Sequence, residues 1–167
     1  MSGGAETARA GAGGTSRPDW DHYFMSIVAV VAGRSSCLRR KAGAVIVAGR
    51  SIVSTGYDGT PIGVRNCSEG GCAYCAGETA PGLGYDSCVC VHAEANAILL
   101  AARRGTTTEG CLLYTTMRPC FGCLKESIQA GIKEIVFESE TSYEAEELED
   151  AYQRLLEESG ILLRKLK

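Results

Sequence analysis

Three residues from two separate segments constrain this chain more than anything else in it. His92 stands in Cys88-Val89-Cys90-Val91-His92-Ala93-Glu94, and Cys120 and Cys123 stand in Pro119-Cys120-Phe121-Gly122-Cys123. An imidazole and two thiols with a carboxylate close by are the donor set of a catalytic zinc. Three protein ligands leave a fourth tetrahedral position for water. A fold for this chain has to carry both segments to one point.

Local sequence already orients these groups. Pro119 suits the start of a helix running from Cys120 to Ala130 and ending at Gly131, so Cys120 and Cys123 are three apart in its first turn and can face the same way. The positive end of that helix favours their thiolate forms. His92 opens a second Ala/Leu-rich helix that reaches Arg104 and closes at Gly105. A metal on all three residues would clamp two helix N-termini together. Glu94 is less determined, because positions i and i+2 of a regular helix do not share a face. A glutamate in a first turn also suits the helix dipole. As a functional residue it would carry a proton between a metal-activated water and a leaving group.

The nine cysteines need a wider account. Residues 1–17 contain no apolar run of the secretory type, and no segment approaches the ~18 apolar residues of a membrane span. A cytoplasmic location is expected, and in a reducing compartment cysteines at short spacing bind metal more often than they pair. Cys111 falls in an apolar run and reads as a small core residue. Six others remain: Cys37, Cys67, Cys72, Cys75, Cys88 and Cys90. The spacing Cys72-x-x-Cys75 and Cys88-x-Cys90 suits a structural four-cysteine zinc. Six thiolates could also hold two metals or a bridged pair.

The rest of the chain alternates helix and strand. Residues 1–17 are rich in Gly, Ala and Ser and read as a disordered tail. After Pro18-Asp19, residues Trp20, Tyr23, Phe24, Ile27, Val28 and Val31 follow a helical repeat, with the aromatic stripe expected in the core. Ala42–Val47 and Ser51–Tyr57 flank Gly49 as a hairpin. Residues 62–90 form a cysteine-rich, metal-binding insertion in which 62–88 show no helix or strand period. Strands are expected over Cys111–Thr116, Ile135–Glu138 and Ile161–Leu166, and an acidic helix over Tyr143–Ser159. The order α-β-β-α-β-α-β-α-β predicts a single domain over 18–167, a three-layer α-β-α sandwich around a mixed five-stranded sheet.

The pattern His-x-Glu followed by Pro-Cys-x-x-Cys is a known signature of zinc deaminases acting on nucleobases. Together with Arg34-Ser35-Ser36-Cys37-Leu38-Arg39, Gly43-Ala44-Val45-Ile46-Val47, Gly56-Tyr57-Asp58-Gly59-Thr60-Pro61, Asn66-Cys67 and Tyr114 to Cys120, it makes residues 18 to about 140 resemble the deoxycytidylate (dCMP) deaminases of the cytidine-deaminase-like superfamily. The resemblance implies hydrolytic deamination of dCMP to dUMP and ammonia. Water activated at a zinc on His92, Cys120 and Cys123 would attack C4, and Glu94 would shuttle the protons. It also implies a second zinc on Cys37, Cys67 and Cys90, in competition with the set read from spacing. One catalytic zinc and at least one structural zinc are therefore expected.

The resemblance further implies contact between Arg39 and the 5′-phosphate, a role that suits a guanidinium, with Arg34 as a second candidate. Asp58, Gly59 and Thr60 fall in the substrate loop. Asp58 departs from the family, which usually has Asn there. An ionised aspartate accepts hydrogen bonds without donating, which leaves dCMP, CMP and 5-modified dCMP open as substrates. Family members often form hexamers or tetramers and respond to dCTP and dTTP. Guanine and tRNA adenosine deaminases share the His-Ala-Glu form, but a net charge of −3 argues against a nucleic-acid partner. A zinc-stabilised scaffold without activity is the reading from another class, and it would require closed metal sites.

Overall fold

The computed structural model describes residues 17–77, 88–141 and 146–167. Of the tail expected over 1–17, residues 1–16 lie outside the described residues, as do 78–87 of the cysteine-rich insertion and the expected start of the acidic helix. Helix α1 (Trp20–Ala32) begins where Asp19 accepts the backbone N–H of His22 at 2.9 Å, which satisfies one of the free amides of the first turn. Strands β1 (Gly43–Ala48) and β2 (Ser51–Tyr57) form the hairpin, and Gly49 at φ +60° makes its turn. The insertion holds a short 3-10 turn at Cys67–Glu69 and α2 (Ala73–Ala76), structure its irregular sequence does not announce. Then follow α3 (Ala93–Arg103), β3 (Leu112–Met117), α4 (Phe121–Gln129), β4 (Glu134–Ser139), α5 (Glu146–Ser159) and β5 (Leu162–Lys165).

The five strands make one mixed sheet in the order β2-β1-β3-β4-β5. The β1 strand is antiparallel to both β2 and β3, whereas β3, β4 and β5 run parallel. Alternation along each strand splits the core in two. Val45, Val47, Tyr114 and Val136 pack against Phe24, Met25 and Val28 of α1. Ala44, Ile46, Leu113 and Ile135 pack on the opposite face with Ala93 and Ala97 of α3, Leu124 of α4 and Tyr152 of α5. Each fully buried large side chain contributes roughly 1.5–3 kcal/mol. The three-layer arrangement and the mixed sheet agree with the sequence expectation.

The aromatic stripe of α1 is only partly core. Phe24, Met25, Val28 and Ala32 are buried, whereas Trp20 and Tyr23 are 38% and 42% exposed. Trp20, in the first turn, stacks on Phe24 from outside at 5.7 Å. Its ring carries the Arg50 guanidinium at 4.9 Å, a partner that keeps it wet.

Two features of the fold position the site. Gly56 of β2 lies so close to α3 that a side chain there would run into the backbone of Ala93 and Ala97, so the first turn of α3 sits directly on the sheet. The β3 strand is followed immediately by Arg118-Pro119-Cys120 and the start of α4. The carboxyl end of β3 and the amino end of α3 thereby meet on one face.

Candidate active site

His92 is the N-cap residue of α3, with extended backbone at φ −70° and ψ 156°. Its entry is fixed from the loop after β2. Val91 and Gly59 exchange backbone hydrogen bonds of 2.8 and 3.3 Å. Asn96 donates to the Tyr57 carbonyl at 2.8 Å, and the Asp58 carboxylate accepts the Ala93 N–H at 2.8 Å. Because His92 precedes the helix, the rule that separates i from i+2 does not govern it. Its ring and the Glu94 side chain line the same cleft, of about 1010 Å³.

Cys120 is the N-cap of α4, again extended at φ −67° and ψ 166°, and its sulfur accepts the Cys123 N–H at 3.5 Å. His92 Nδ1 lies 3.5 Å from Cys120 Sγ and 3.4 Å from Cys123 Sγ. Zinc bonds of 2.0–2.1 Å to nitrogen and 2.3 Å to sulfur at a tetrahedral angle require an N···S separation of about 3.6 Å. Both nitrogen–sulfur separations therefore suit a shared zinc ion, and all three donor atoms lie within 4.8 Å of one another. Cys120 is held down to about 4, first by the hydrogen bond with Cys123 and then by His92 and the Cys123 amide, against the cost of burial. The same bond pushes the Cys123 thiol up. One proton thus serves the pair, and its loss leaves two thiolates for a metal.

Glu94 is 5% exposed, and its Oε1 accepts the Thr115 hydroxyl at 2.9 Å. Burial raises its pKa above the ordinary glutamate value, while its own backbone amide and Thr115 oppose the rise. A carboxyl whose pKa is raised in this way holds a proton more readily than an exposed glutamate, which suits a group that must both take and return one. Burial likewise raises Asp58, with His92 and the Ala93 amide opposing. One Asp58 oxygen is committed to Ala93, an acceptor role that asparagine would fill equally.

Arg39 lines the cleft with its guanidinium 4.5 Å above the Tyr74 ring, and Arg40 and Lys125 add further positive charge. Of Asp58, Gly59 and Thr60, expected from the resemblance to meet substrate, Asp58 alone joins the lining. Gly59 is spent on the bridge to Val91, and the Thr60 hydroxyl bonds the Val64 carbonyl at 3.2 Å. Arg34 is exposed and outside the cleft lining. Cys37, Cys67, Cys72 and Cys75 are buried together with Cys88 and Cys90 packed against them, so both expected structural ligand sets come from one cluster. Cys111 sits in the main core, apart from it.

Sequence reasoning assigned no role to Thr115, Arg118 or Tyr74. Thr115 reaches Glu94 because it shares a face of β3 with Leu113. Arg118 is buried and forms a two-pronged ion pair with Glu149 of α5, at 2.6 and 2.9 Å. Its guanidinium lies 4.0 Å over the Tyr152 ring, and Tyr152 donates to the Pro119 carbonyl at 3.1 Å. Helix α5 thereby braces the turn that presents Cys120. The acidic run of α5 was the available signal, but it did not point to a partner.

Residues 18–139 match the family described as the cytidine and deoxycytidylate deaminase zinc-binding region. The chain is 41% identical over 149 residues to the deoxycytidylate deaminase of Schizosaccharomyces pombe, covering 89% of this chain and 44% of that protein. It is also 41% identical over 131 residues to the deoxycytidylate deaminase of Mycobacterium phage D29, covering 75% of this chain and 99% of the phage protein. The chain spans about half the length of the fungal relatives, 44% in S. pombe and 45% in Saccharomyces cerevisiae. The crystal structure of the dCMP deaminase of cyanophage S-TIM5 in complex with dCMP and dUMP superposes with a TM-score of 0.71 at 29% identity, covering 90% of this chain and 98% of the phage chain. No helix among the described residues is long and apolar enough to cross a membrane. With its matched segment spanning Asp58, His92, Glu94, Cys120 and Cys123, the chain belongs to the cytidine and deoxycytidylate deaminase zinc-binding family.

Proposed function

We propose that residues 18–167 form one deaminase domain that hydrolyses dCMP to dUMP and ammonia in the cytoplasm. The observation that carries the reading is the buried Glu94, held by Thr115 beside the cleft in which the free sulfurs of Cys120 and Cys123 both meet the ring of His92. Those three residues would hold the zinc. When bound there, zinc supplies Lewis acidity that makes water acidic near neutral pH.

The chain's own residues move the protons. Glu94, as carboxylate, takes a proton from the attacking water and delivers it to N3 of the cytosine as the new bond to C4 forms. It then passes the second proton to the exocyclic nitrogen, the C4–N4 bond breaks, and ammonia leaves. Thr115 keeps Glu94 aimed through Oε1. Arg39, pre-positioned on Tyr74, takes the 5′-phosphate. Asp58 holds the amino end of α3 with one oxygen and offers the other as an acceptor to a sugar hydroxyl. The Cys37–Cys90 cluster holds at least one structural zinc. Assembly into a hexamer or tetramer and control by dCTP and dTTP belong to the proposal by resemblance alone.

The test is ammonia release from a panel of dCMP, CMP, dCTP, deoxycytidine, guanine and tRNA. Turnover of dCMP above the others supports the reading. A preference for guanine or tRNA would replace it with another deaminase activity, and no turnover of any cytosine nucleotide would defeat it.

A further inference from the structure

We infer that the six cysteines outside the catalytic group form one binuclear thiolate centre for two zinc ions. Cys75 and Cys90 are the shared ligands, Cys37 and Cys67 complete one tetrahedron, and Cys72 and Cys88 complete the other. The inference rests on reading these cysteines as metal ligands and goes beyond a single structural zinc.

Two four-sulfur groups each have all their Sγ atoms within 4.8 Å of one another: Cys37, Cys67, Cys75 and Cys90, and Cys72, Cys75, Cys88 and Cys90. Their common members are Cys75 and Cys90. Six sulfurs supply four ligands to each of two metals only when two of them bridge. Two thiolates on one tetrahedral zinc stand about 3.8 Å apart, given bonds of about 2.3 Å. Cys75 Sγ lies 3.7 Å from Cys37 Sγ in one half and 3.6 Å from Cys88 Sγ in the other. A bridging sulfur needs one such neighbour on each side.

A single zinc would strand a pair of thiols, either Cys72 with Cys88 or Cys37 with Cys67. Neither pair is built as a spare. Cys67 and Cys72, one from each half, are 0% and 1% exposed. Each sulfur accepts a backbone amide at 3.4 Å, from Leu38 and from Val89 respectively. Amide donors aimed at buried sulfur stabilise thiolate. With all six as thiolates, one divalent ion leaves four negative charges uncompensated in a buried cluster, and a second ion halves that. The centre would also tie the loop carrying Arg39, two residues beyond Cys37, to the segment in which Cys90 leads into His92.

The experiment uses the full chain purified with zinc, as wild type and as a His92→Ala/Cys120→Ala double variant that lacks the catalytic ligands. Elemental analysis should give three zinc ions per wild-type chain and two per double variant. X-ray absorption of the double variant should show a zinc–zinc scattering shell at less than about 4.6 Å, the limit set by two bonds of about 2.3 Å to a shared sulfur. Should the double variant not fold, three ions with zinc–zinc scattering in wild type establish the same centre. One ion in the double variant, or two in wild type, without a zinc–zinc signal would overturn the binuclear centre and leave a single structural zinc standing. No ion in the double variant, with the six cysteines titrating as free thiols or disulfides, would overturn the ligand reading itself. Deamination is not measured, so failure of the enzymatic proposal is seen separately.

Discussion

Replacing Thr115 with valine removes one hydroxyl from a fully buried position and leaves its shape almost unchanged. The hydroxyl donates to Glu94 Oε1 at 2.9 Å and favours the ionised carboxylate. A hydrogen bond to a charged group is worth about 1.5–3 kcal/mol, and Glu94 is buried enough that solvent does not replace it. At 1.36 kcal/mol per pKa unit, Thr115→Val should raise the Glu94 pKa further by roughly 1–2 units. Glu94 must be ionised to take a proton from water, so the acid limb of kcat/KM should move upward by the same roughly 1–2 units. Below that limb the variant should be roughly 10–100-fold slower. The assay is dUMP formation from dCMP between pH 5 and 9, with zinc content and Tm measured in parallel. Thr115→Ser, which keeps a hydroxyl, should restore the wild-type limb. An acid limb that stays in place while zinc and Tm are normal would refute the assignment of Glu94 as the base that Thr115 tunes.

Three further outcomes follow from the geometry. Arg118→Met removes the two-pronged ion pair and unties α5 from the Cys120 turn, while Glu149 stays partly exposed and bonded to Gln153, so urea unfolding should show a loss of about 2 kcal/mol; a change under about 0.5 kcal/mol would place the brace elsewhere. Asp58→Ala removes the acceptor for the Ala93 N–H and should cost about 1 kcal/mol, whereas Asp58→Asn keeps that acceptor and should unfold close to wild type. Arg39→Ala should lower kcat/KM for dCMP roughly 10–100-fold and leave deoxycytidine unaffected, since only the nucleotide carries the phosphate; equal losses on both would remove Arg39 from the phosphate.

The parts of the site legible in the sequence are those set by local spacing. Cys120 and Cys123 share a helix start, and Pro119 announces it, so that both sulfurs face one point could be read from five residues. Glu94 could not be placed, because the i, i+2 rule presumes that both residues are helical. His92 is extended and pre-helical, which is a property of the loop that Asp58 and Gly59 hold. Thr115 and Arg118 act on Glu94 and Glu149, 21 and 31 residues away, and only the sheet register and the packing of α5 create those pairs. The six cysteines show the same divide. Cys72, Cys75, Cys88 and Cys90 stand out by spacing and Cys37 and Cys67 only through the family resemblance, whereas the merging of both sets into one cluster is a fact of tertiary structure. The layered fold followed from alternating helix and strand patterns, whereas Trp20 and Tyr23 fitted a core stripe that the first turn of α1 leaves partly in water.

Every role proposed for the cleft depends on hydrolysis at C4 of the cytosine base with Glu94 moving the protons. Conversion of dCMP in ¹⁸O-labelled water by the zinc-loaded full chain and its Glu94→Gln variant tests both halves of that statement at once. The wild type should release one ammonia per dUMP, with the label at O4. The variant, with zinc retained, should be slower by roughly 100-fold or more, as expected when a positioned acid–base group is lost. Absence of dUMP from the wild type, or unlabelled dUMP, or a Glu94→Gln variant as fast as wild type would contradict the proposed mechanism.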